Sequence, residues 1–195
     1  MGIPTSLVKE LRDQTSCGIK DCKKALEEAN GDLEKAVALL RKKGLSDAAK
    51  KSGRGTNAGR VISYIHAGGQ VGVMLELNCE TDFVANTDPF QELGKDLCMQ
   101  ICAMNPIVVK REDISAEIIE KEKDIYREQI KDKPAHAQEK IIEGKLAKFY
   151  KENVLLEQPF VKDEKRTVED ILKDAIATIK ENLTVARFSR FQIGS

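Results

Sequence analysis

Two strand-type runs, 61–67 and 70–79, flank the dipeptide Gly68-Gly69, and they limit the fold more than any other feature. Consecutive glycines are favoured in a two-residue hairpin turn. Every second residue of the later run, from Val71 to Leu77, is Val or Leu. An isolated hairpin is only marginally stable in water, so another element must cover this apolar face.

A helix predicted after Asp88 can provide that cover. Asp88 can cap it, Pro89 takes the first helical position, and Gln91 completes a capping box. The run Leu183 to Ile193 then predicts a third strand, which would tie the end of the chain into the sheet. The expected buried stripe of the helix is Phe90, Leu93, Leu97, Ile101 and Met104.

The first 45 residues predict three short helices with a turn at Thr15-Ser16-Cys17-Gly18. Asn30-Gly31 is expected to end the second helix, Asp32 to cap the third, and Gly44 to end it. So small a bundle has little surface to bury, which favours a docking module. Its expected core contains Leu7, Val8, Leu11, Ile19, Cys22, Ala25, Leu26, Ala29, Leu33, Ala36, Val37 and Leu40.

Two charged helices are predicted near 115–131 and 137–151, with sparse apolar residues that suit a projecting antiparallel pair. The predicted fold class is α+β, with a small three-stranded antiparallel sheet packed with helices. The predicted segments are a three-helix docking module at 1–48, a flexible linker at 49–60, a core hairpin and helix at 61–112, a coiled-coil-like helical hairpin at 113–152, and a C-terminal helix and strand completing the core at 153–195.

Charge and composition exclude several classes of function. The 195 residues contain 32 Lys and Arg against 32 Asp and Glu, so the chain has no bulk attraction to nucleic acid. Residues 1–60 are basic, with 13 Lys and Arg against 8 Asp and Glu, but no aromatic residue precedes Tyr64 to stack on bases. That end is expected to be a solvated helical face, with RNA binding as the lesser alternative. No apolar run approaches the roughly 20 residues of a membrane span, and no secretory pattern opens the chain, so a cytoplasmic location is expected.

Catalytic patterns are also absent from the sequence. His66 and His136 have no serine or cysteine partner at a recognisable spacing, and the five cysteines contain no Cys-x-x-Cys pair. Reduced, buried thiols are the expected state of these cysteines. We therefore expect no catalytic, cofactor-binding or metal-binding residue, and no enzyme.

The connection after the second strand contains an unusual tetrapeptide, Thr81-Asp82-Phe83-Val84. Such connections are normally polar, and here an aromatic and a β-branched residue follow an acidic one. Phe83 either folds back into the core, with Asp82 capping a turn, or projects as an interface anchor. The sequence alone leaves both alternatives open.

Three stretches of the chain resemble the translation elongation factor Ts family, whose members exchange nucleotide on the GTPase elongation factor Tu. The second stretch is the most specific of the three, and together they span nearly the whole chain. They are Leu7 to Arg12 with Thr15, Gly18 to Leu26 and Asn30-Gly31-Asp32; Leu75 to Ala85; and Gln158-Pro159-Phe160-Val161 with Arg190 to Gly194.

The resemblance implies a role for each part. The N-terminal helices would form a ubiquitin-associated-type bundle that docks on elongation factor Tu, in its GDP-bound and nucleotide-free states. Thr81, Asp82, Phe83 and Val84 would disturb the magnesium site beside the nucleotide. The longer members of the family carry two β-subdomains in the core, and the one hairpin predicted here resembles the short form, which implies a homodimer and a 2:2 complex. Docking residues carried over from the family are Leu11, Arg12, Cys17, Gly18 and Ile19.

Two other functions remain as alternatives. The N-terminal helices alone would suit an adaptor that binds ubiquitin-like proteins or chaperones, and the five cysteines could serve a redox or metal enzyme. Neither alternative accounts for three ordered stretches of resemblance.

Overall fold

The computed structural model describes residues 3–15 and 17–194, so Ser16 of the predicted turn lies outside the described residues. Within them the fold is α+β, as predicted. The helices are α1 Thr5–Thr15, α2 Ile19–Glu28, α3 Leu33–Lys51, α4 Asp82–Ala85, α5 Asp88–Met104, α6 Ala116–Gln129, α7 Ala135–Asn153 and α8 Val168–Ile179. The strands are β1 Ala58–Ile65, β2 Val71–Cys79, β3 Pro159–Phe160, β4 Asp163–Thr167 and β5 Leu183–Gln192.

The main sheet has the strand order β1-β2-β5, so the predicted third strand joins the hairpin. The turn between β1 and β2 is wider than the two residues predicted. The His66 N–H donates to the Val71 carbonyl at 2.9 Å, and the Gly69 N–H donates to the His66 carbonyl at 2.8 Å. Gly68 and Gly69 have φ values of 94° and 70°, a left-handed conformation that glycine adopts without steric strain.

The described chain divides into two compact units. The first comprises Met1–Arg60, Asn78–Leu93 and Asp170–Thr184, and the second comprises Val61–Leu77, Gly94–Glu169 and Val185–Ser195. Both units draw on segments far apart in sequence. The five segments predicted above are continuous in sequence, so they cannot be compared directly with these two units and remain a prediction.

Helices α1, α2 and α3 enclose one apolar cluster of the first unit. The Asp32 carboxylate caps α3 by accepting the Lys35 N–H at 3.0 Å, and Asn30 and Gly31 take positive φ values of 53° and 82° where α2 stops. The buried members of the cluster are Val8, Leu11, Cys22, Ala25, Leu26, Ala29, Ala36 and Leu40, all of which the helical spacing predicted. The prediction that Ile19 belongs to this core is wrong, because it is the first residue of α2 and is 58% exposed.

The prediction that Gly44 ends α3 is wrong, because the helix continues to Lys51. Gly44 is buried in the middle of α3, and a Cβ added there would lie 3.0 Å from the Ala177 Cβ. The glycine therefore serves close packing of the helix against Ala177. As a result, the predicted linker begins inside a helix, and only six residues separate α3 from β1 at Ala58.

In the second unit, α5 packs closely on the sheet. A Cβ added at Gly94 would lie 2.0 Å from Cδ1 of Ile62, so a larger residue would require the isoleucine to move. Met104, predicted to be buried, is 41% exposed because it is the last residue of α5 and the chain turns away after it. The enclosed apolar residues here include Val73, Leu75, Leu77, Leu97, Cys98 and Ile101.

Two buried glutamines form a hydrogen-bond network in the second unit that the sequence analysis did not predict. Gln100 Nε2 donates to Gln158 Oε1 and to the Pro159 carbonyl, each at 3.1 Å, and Gln100 Oε1 accepts the Val161 N–H at 2.8 Å. Gln158 Nε2 donates to the Glu152 carbonyl at 2.7 Å. Both side chains are wholly buried, and their bonds offset the free-energy cost of removing amides from water.

Helices α6 and α7 contact each other, close to the bounds predicted for them. No residue of α6 is buried, and Ile118 and Ile125 are exposed. One contact between the two helices is made by Lys145, whose Nζ lies 2.5 Å from Gln129 Oε1 and 5.1 Å from the Tyr126 ring centroid. The small β3–β4 hairpin that follows was not predicted.

Candidate functional site

The tetrapeptide after β2 folds into the single turn α4. The Thr81 hydroxyl caps this turn by accepting the Val84 N–H at 3.4 Å. Val84 and Ala85 are buried beneath the turn, whereas the Phe83 side chain is 79% exposed, more than any other large apolar side chain among the described residues. Of the two alternatives for Phe83, the structure therefore has the ring pointing outward.

One carboxylate fixes the start of this turn. Glu181 Oε2 accepts the N–H groups of Glu80 and Thr81 at 3.1 and 3.0 Å, and Glu181 Oε1 accepts the Thr81 hydroxyl at 2.7 Å. Hydrogen bonds to an ionised carboxylate are shorter and stronger than bonds between neutral groups. The backbone that leads into Phe83 is therefore held by three such bonds.

The Glu80 side chain in turn binds the backbone next to Glu181. Glu80 Oε1 accepts the Asn182 N–H at 2.7 Å and lies 3.4 Å from an Arg54 guanidinium nitrogen. The Asn182 hydrogen bond, followed by the Arg54 charge, holds the pKa of Glu80 below its usual range. Glu80 is therefore ionised at neutral pH, and its carboxylate accepts these bonds.

The end of the turn is also tied down. Asn86 Nδ2 donates to the Asp82 carbonyl and the Thr87 hydroxyl donates to the Val84 carbonyl, both at 2.8 Å. Arg60 in turn donates to the Asn86 side chain. We call residues 80–87 the Phe83 loop. It presents an aromatic ring beside an exposed carboxylate, that of Asp82, on a backbone bonded at both ends.

The five residues carried over as docking contacts differ in accessibility. Arg12 and Gly18 are exposed, Ile19 is 58% exposed, and Cys17 is half-buried. Leu11 is wholly buried in the cluster of α1, α2 and α3. Gly18 precedes α2 with φ −63° and ψ 145°, so it lies at the N-cap and Ile19 is the first helical residue. The surface that these helices offer there is thus Arg12, Gly18 and Ile19.

The described cysteines have the environment of structural thiols. Cys22, Cys79, Cys98 and Cys102 are buried, and all five cysteines are free. Burial raises the pKa of Cys98 to about 12, which leaves almost no thiolate at neutral pH. Among residues 3–15 and 17–194, no three His, Cys, Asp or Glu side chains are grouped so that they could hold a metal ion. No described helix is long and apolar enough to span a bilayer.

Sequence reasoning missed Glu80, Glu181 and Asn182 as parts of the site. Glu181 and Asn182 lie about a hundred residues beyond the loop that they bind. They follow a helix end, where polar residues are ordinary. The topology, which places β5 beside β2, is what brings the start of β5 to the end of β2.

An exposed aromatic ring on a braced turn is the kind of side chain that anchors protein–protein interfaces. The family model described as elongation factor TS matches residues 17–195. The chain is 59% identical over 194 residues to "Elongation factor Ts" of Thermosipho melanesiensis, covering 98% of this chain and 99% of that protein. It is 59% identical over 196 residues to the protein of the same name from Fervidobacterium nodosum, which covers 100% of both chains. The Thermotoga maritima protein is 55% identical over 194 residues, covering 100% of this chain and 98% of its own length. The chain belongs to the elongation factor Ts family, which confirms the resemblance.

Proposed function

We propose that this protein is the guanine nucleotide exchange factor of elongation factor Tu. It binds the GDP complex, disturbs the magnesium and phosphate site, and promotes GDP release during translation elongation. It requires no cofactor, makes no direct contact with nucleic acid or membrane, and makes or breaks no covalent bond. Its location is the cytoplasm, where translation proceeds. Membership of the elongation factor Ts family supports this function.

Thermodynamic linkage explains how binding alone can release a nucleotide. A GTPase holds GDP through backbone amides, a lysine and a magnesium ion around the phosphates. A factor that binds the nucleotide-free GTPase more tightly than the GDP complex weakens GDP binding by the same coupling free energy. Contacts that exist only when the nucleotide site is distorted supply that difference.

The observation that carries the proposal is the 79% exposure of Phe83 on a turn bonded at both ends. In the proposed mechanism the Phe83 ring inserts beside the nucleotide site and displaces the groups that hold magnesium. Asp82 presents a carboxylate next to the ring, Thr81 caps the turn, and Val84 anchors it from the buried side. A rigid wedge loses little conformational entropy on insertion, so more of its contact energy opposes nucleotide binding.

We propose that residues 1–48 are the docking module, a ubiquitin-associated-like bundle. Three exposed residues form the proposed docking surface near the start of α2: the charged Arg12, Gly18 at the N-cap, and the apolar Ile19. Leu11 and Cys17 support this surface from inside the bundle, because Leu11 is wholly buried and Cys17 half-buried. Helices α6 and α7 form the projecting antiparallel pair in the same proposal.

The test of the function is release of fluorescent GDP from elongation factor Tu. Catalytic amounts of the wild-type chain should accelerate release when unlabelled GDP is in excess. The two proteins should co-elute in EDTA, and GDP with magnesium should separate them. Release at the spontaneous rate over all concentrations of the chain would refute the proposal.

We also propose that the protein is a homodimer and forms a 2:2 complex with elongation factor Tu. In the second unit, the β1–β2 turn and the strands beside it border a hollow of about 670 Å³. Ile65, Met74, Phe191 and Ile193 are all exposed there, and Phe191 is 68% exposed. The one ionised group among the lining residues, Arg190, donates to the Cys102 carbonyl at 3.2 Å. A second copy would offer the same largely apolar surface, which makes the patch self-complementary.

If this patch is the dimer interface, a charge introduced there should strongly weaken self-association. Phe191→Asp should weaken self-association at least about 100-fold, because an unpaired carboxylate would have to be desolvated in the interface. Sedimentation equilibrium measures the change, with Ile107→Asp as the control at another exposed apolar position of the same unit. A wild-type protein that stays monomeric at tens of micromolar would contradict the dimer.

A further inference from the structure

Three consecutive residues that follow α8, Lys180-Glu181-Asn182, bind parts of the first unit that are distant in sequence. Lys180 Nζ lies 3.7 Å from Asp21 of α2 and 4.0 Å from Asp47 of α3. Glu181 accepts the three hydrogen bonds from residues 80–81 described above. Asn182 bonds to Glu80 through its N–H, and its Nδ2 donates to the carbonyl of residue 54 at 2.8 Å. We call these three residues the bracket.

The backbone of the bracket is shaped by an unusual residue. Lys180 has φ 71°, the left-handed conformation that usually selects glycine after a helix. Its N–H donates to the Ile176 carbonyl at 3.0 Å, which ends α8. A glycine would end the helix with less strain but would have no ammonium group to reach Asp21 and Asp47. The lysine therefore ends a helix and contacts two others.

Because the bracket residues are adjacent in sequence, the helices α2 and α3 and the Phe83 loop are held by one short piece of backbone. We propose that the bracket is a positioning device, which orients the Phe83 ring by holding the Phe83 loop through Glu181 and the segment after α3 through Asn182. Because the loop is already ordered, docking places the ring directly and carries no further entropic cost of ordering the loop. This inference rests on the exchange function proposed above.

The contacts of the bracket differ in strength. The two Lys180 ion pairs are long and partly exposed, and such pairs contribute little. The Glu181 carboxylate accepts three hydrogen bonds at 2.7 to 3.1 Å, so Glu181 carries most of the positioning. Lys43 also donates to Asp21 at 2.5 Å, and this bond is the main reason that the pKa of Asp21 is lowered. Asp21 is thus ionised at neutral pH when Lys180 approaches it.

The decisive variant is Glu181→Ala, assayed by the release of fluorescent GDP over a range of factor concentrations. We expect the maximal release rate to fall about tenfold, with the half-saturating concentration changed less than about threefold, because docking is intact while the ring is misplaced. Glu181→Gln keeps one oxygen acceptor and should give an intermediate rate. Lys180→Gly should lower the rate by no more than about threefold.

A second readout follows the loop itself, without elongation factor Tu. Hydrogen exchange at the Glu80 and Thr81 amides should be at least about tenfold faster in Glu181→Ala than in the wild type. The matched control is Glu157→Ala, which removes a carboxylate bonded to Arg111 in the second unit. The control should change neither the two amides nor the release rate.

The outcomes separate this inference from the proposed function. A wild-type chain that does not accelerate release refutes the function. Acceleration by the wild type, together with an unchanged maximal rate in Glu181→Ala, overturns the bracket alone. If Glu181→Ala does not fold, Glu181→Gln decides the matter: a wild-type rate overturns the inference and a reduced rate supports it.

Discussion

Phe83→Ala is expected to lower the maximal rate of stimulated GDP release by about 100-fold. Aromatic hot-spot residues contribute about 2–4 kcal/mol when truncated, and each 1.4 kcal/mol changes an equilibrium tenfold. The ring is 79% exposed in the free protein, so its contact area is available to a partner. Its loss should leave the fold unchanged, because an exposed side chain contributes little to the core.

The measurement is stopped-flow release of fluorescent GDP from elongation factor Tu at saturating factor. Ile107→Ala is the control, since it truncates another exposed apolar side chain outside the Phe83 loop and should keep the wild-type rate. Phe83→Leu restores much of the apolar area and should fall between the wild type and Phe83→Ala. Release by Phe83→Ala at the wild-type rate, with an unaltered circular dichroism spectrum, would show that the ring is not the wedge.

Gln100→Leu should destabilise the protein by about 3 kcal/mol, even though leucine is apolar and similar in size. The substitution leaves the Val161 N–H and the Gln158 side-chain oxygen without their partner in a buried site. Each buried polar group that loses its hydrogen bond costs about 1–3 kcal/mol. The prediction is therefore a loss of stability caused by unsatisfied neighbours and not by a cavity.

Urea unfolding monitored by circular dichroism measures this change. Gln129→Leu makes the same substitution at an exposed position of α6, where the glutamine side chain accepts a hydrogen bond from Lys145, and we expect a loss of less than about 0.5 kcal/mol there. The double variant Gln100→Leu/Gln158→Leu tests whether the two glutamines act as one network, since coupled residues give non-additive losses. A loss below about 1 kcal/mol for Gln100→Leu would contradict the network's role.

Much of the fold could be predicted from local patterns. The alternation from Val71 to Leu77 and the Asp88-Pro89 pair each indicate an element from neighbouring residues, and β2 and α5 form near the predicted positions. The predicted cap is wrong, because Asp88 is the first residue of α5 and the Gln91 side chain donates to the Asn86 carbonyl. Gly44 shows the limit of such reasoning. A glycine after a basic helical turn is typical of a helix end, but here the missing side chain admits Ala177, a residue 133 positions later. Tertiary packing overrode the local signal.

Part of the candidate site could likewise be predicted from the sequence, and part could not. An aromatic residue in a polar connection is visible in the sequence, and this pattern singled out Phe83. The bonds that hold the loop are not visible, because Glu181 and Asn182 carry no spacing relation to residues 80–81. The buried glutamines were missed for a related reason, since Gln100 sits on a helix where polar residues are usually exposed and only the fold encloses it.

The lack of buried residues in α6 has a dynamic consequence. A helix such as α6, with no buried residue, gains little from packing, and surface ion pairs such as Lys121 with Glu117 add little to its stability. Its partner carries Gly144, whose position would admit a Cβ freely, at a site where alanine is the better helix former. Local opening of this pair will therefore require far less free energy than global unfolding. We expect this pair to open while the rest of the second unit stays folded.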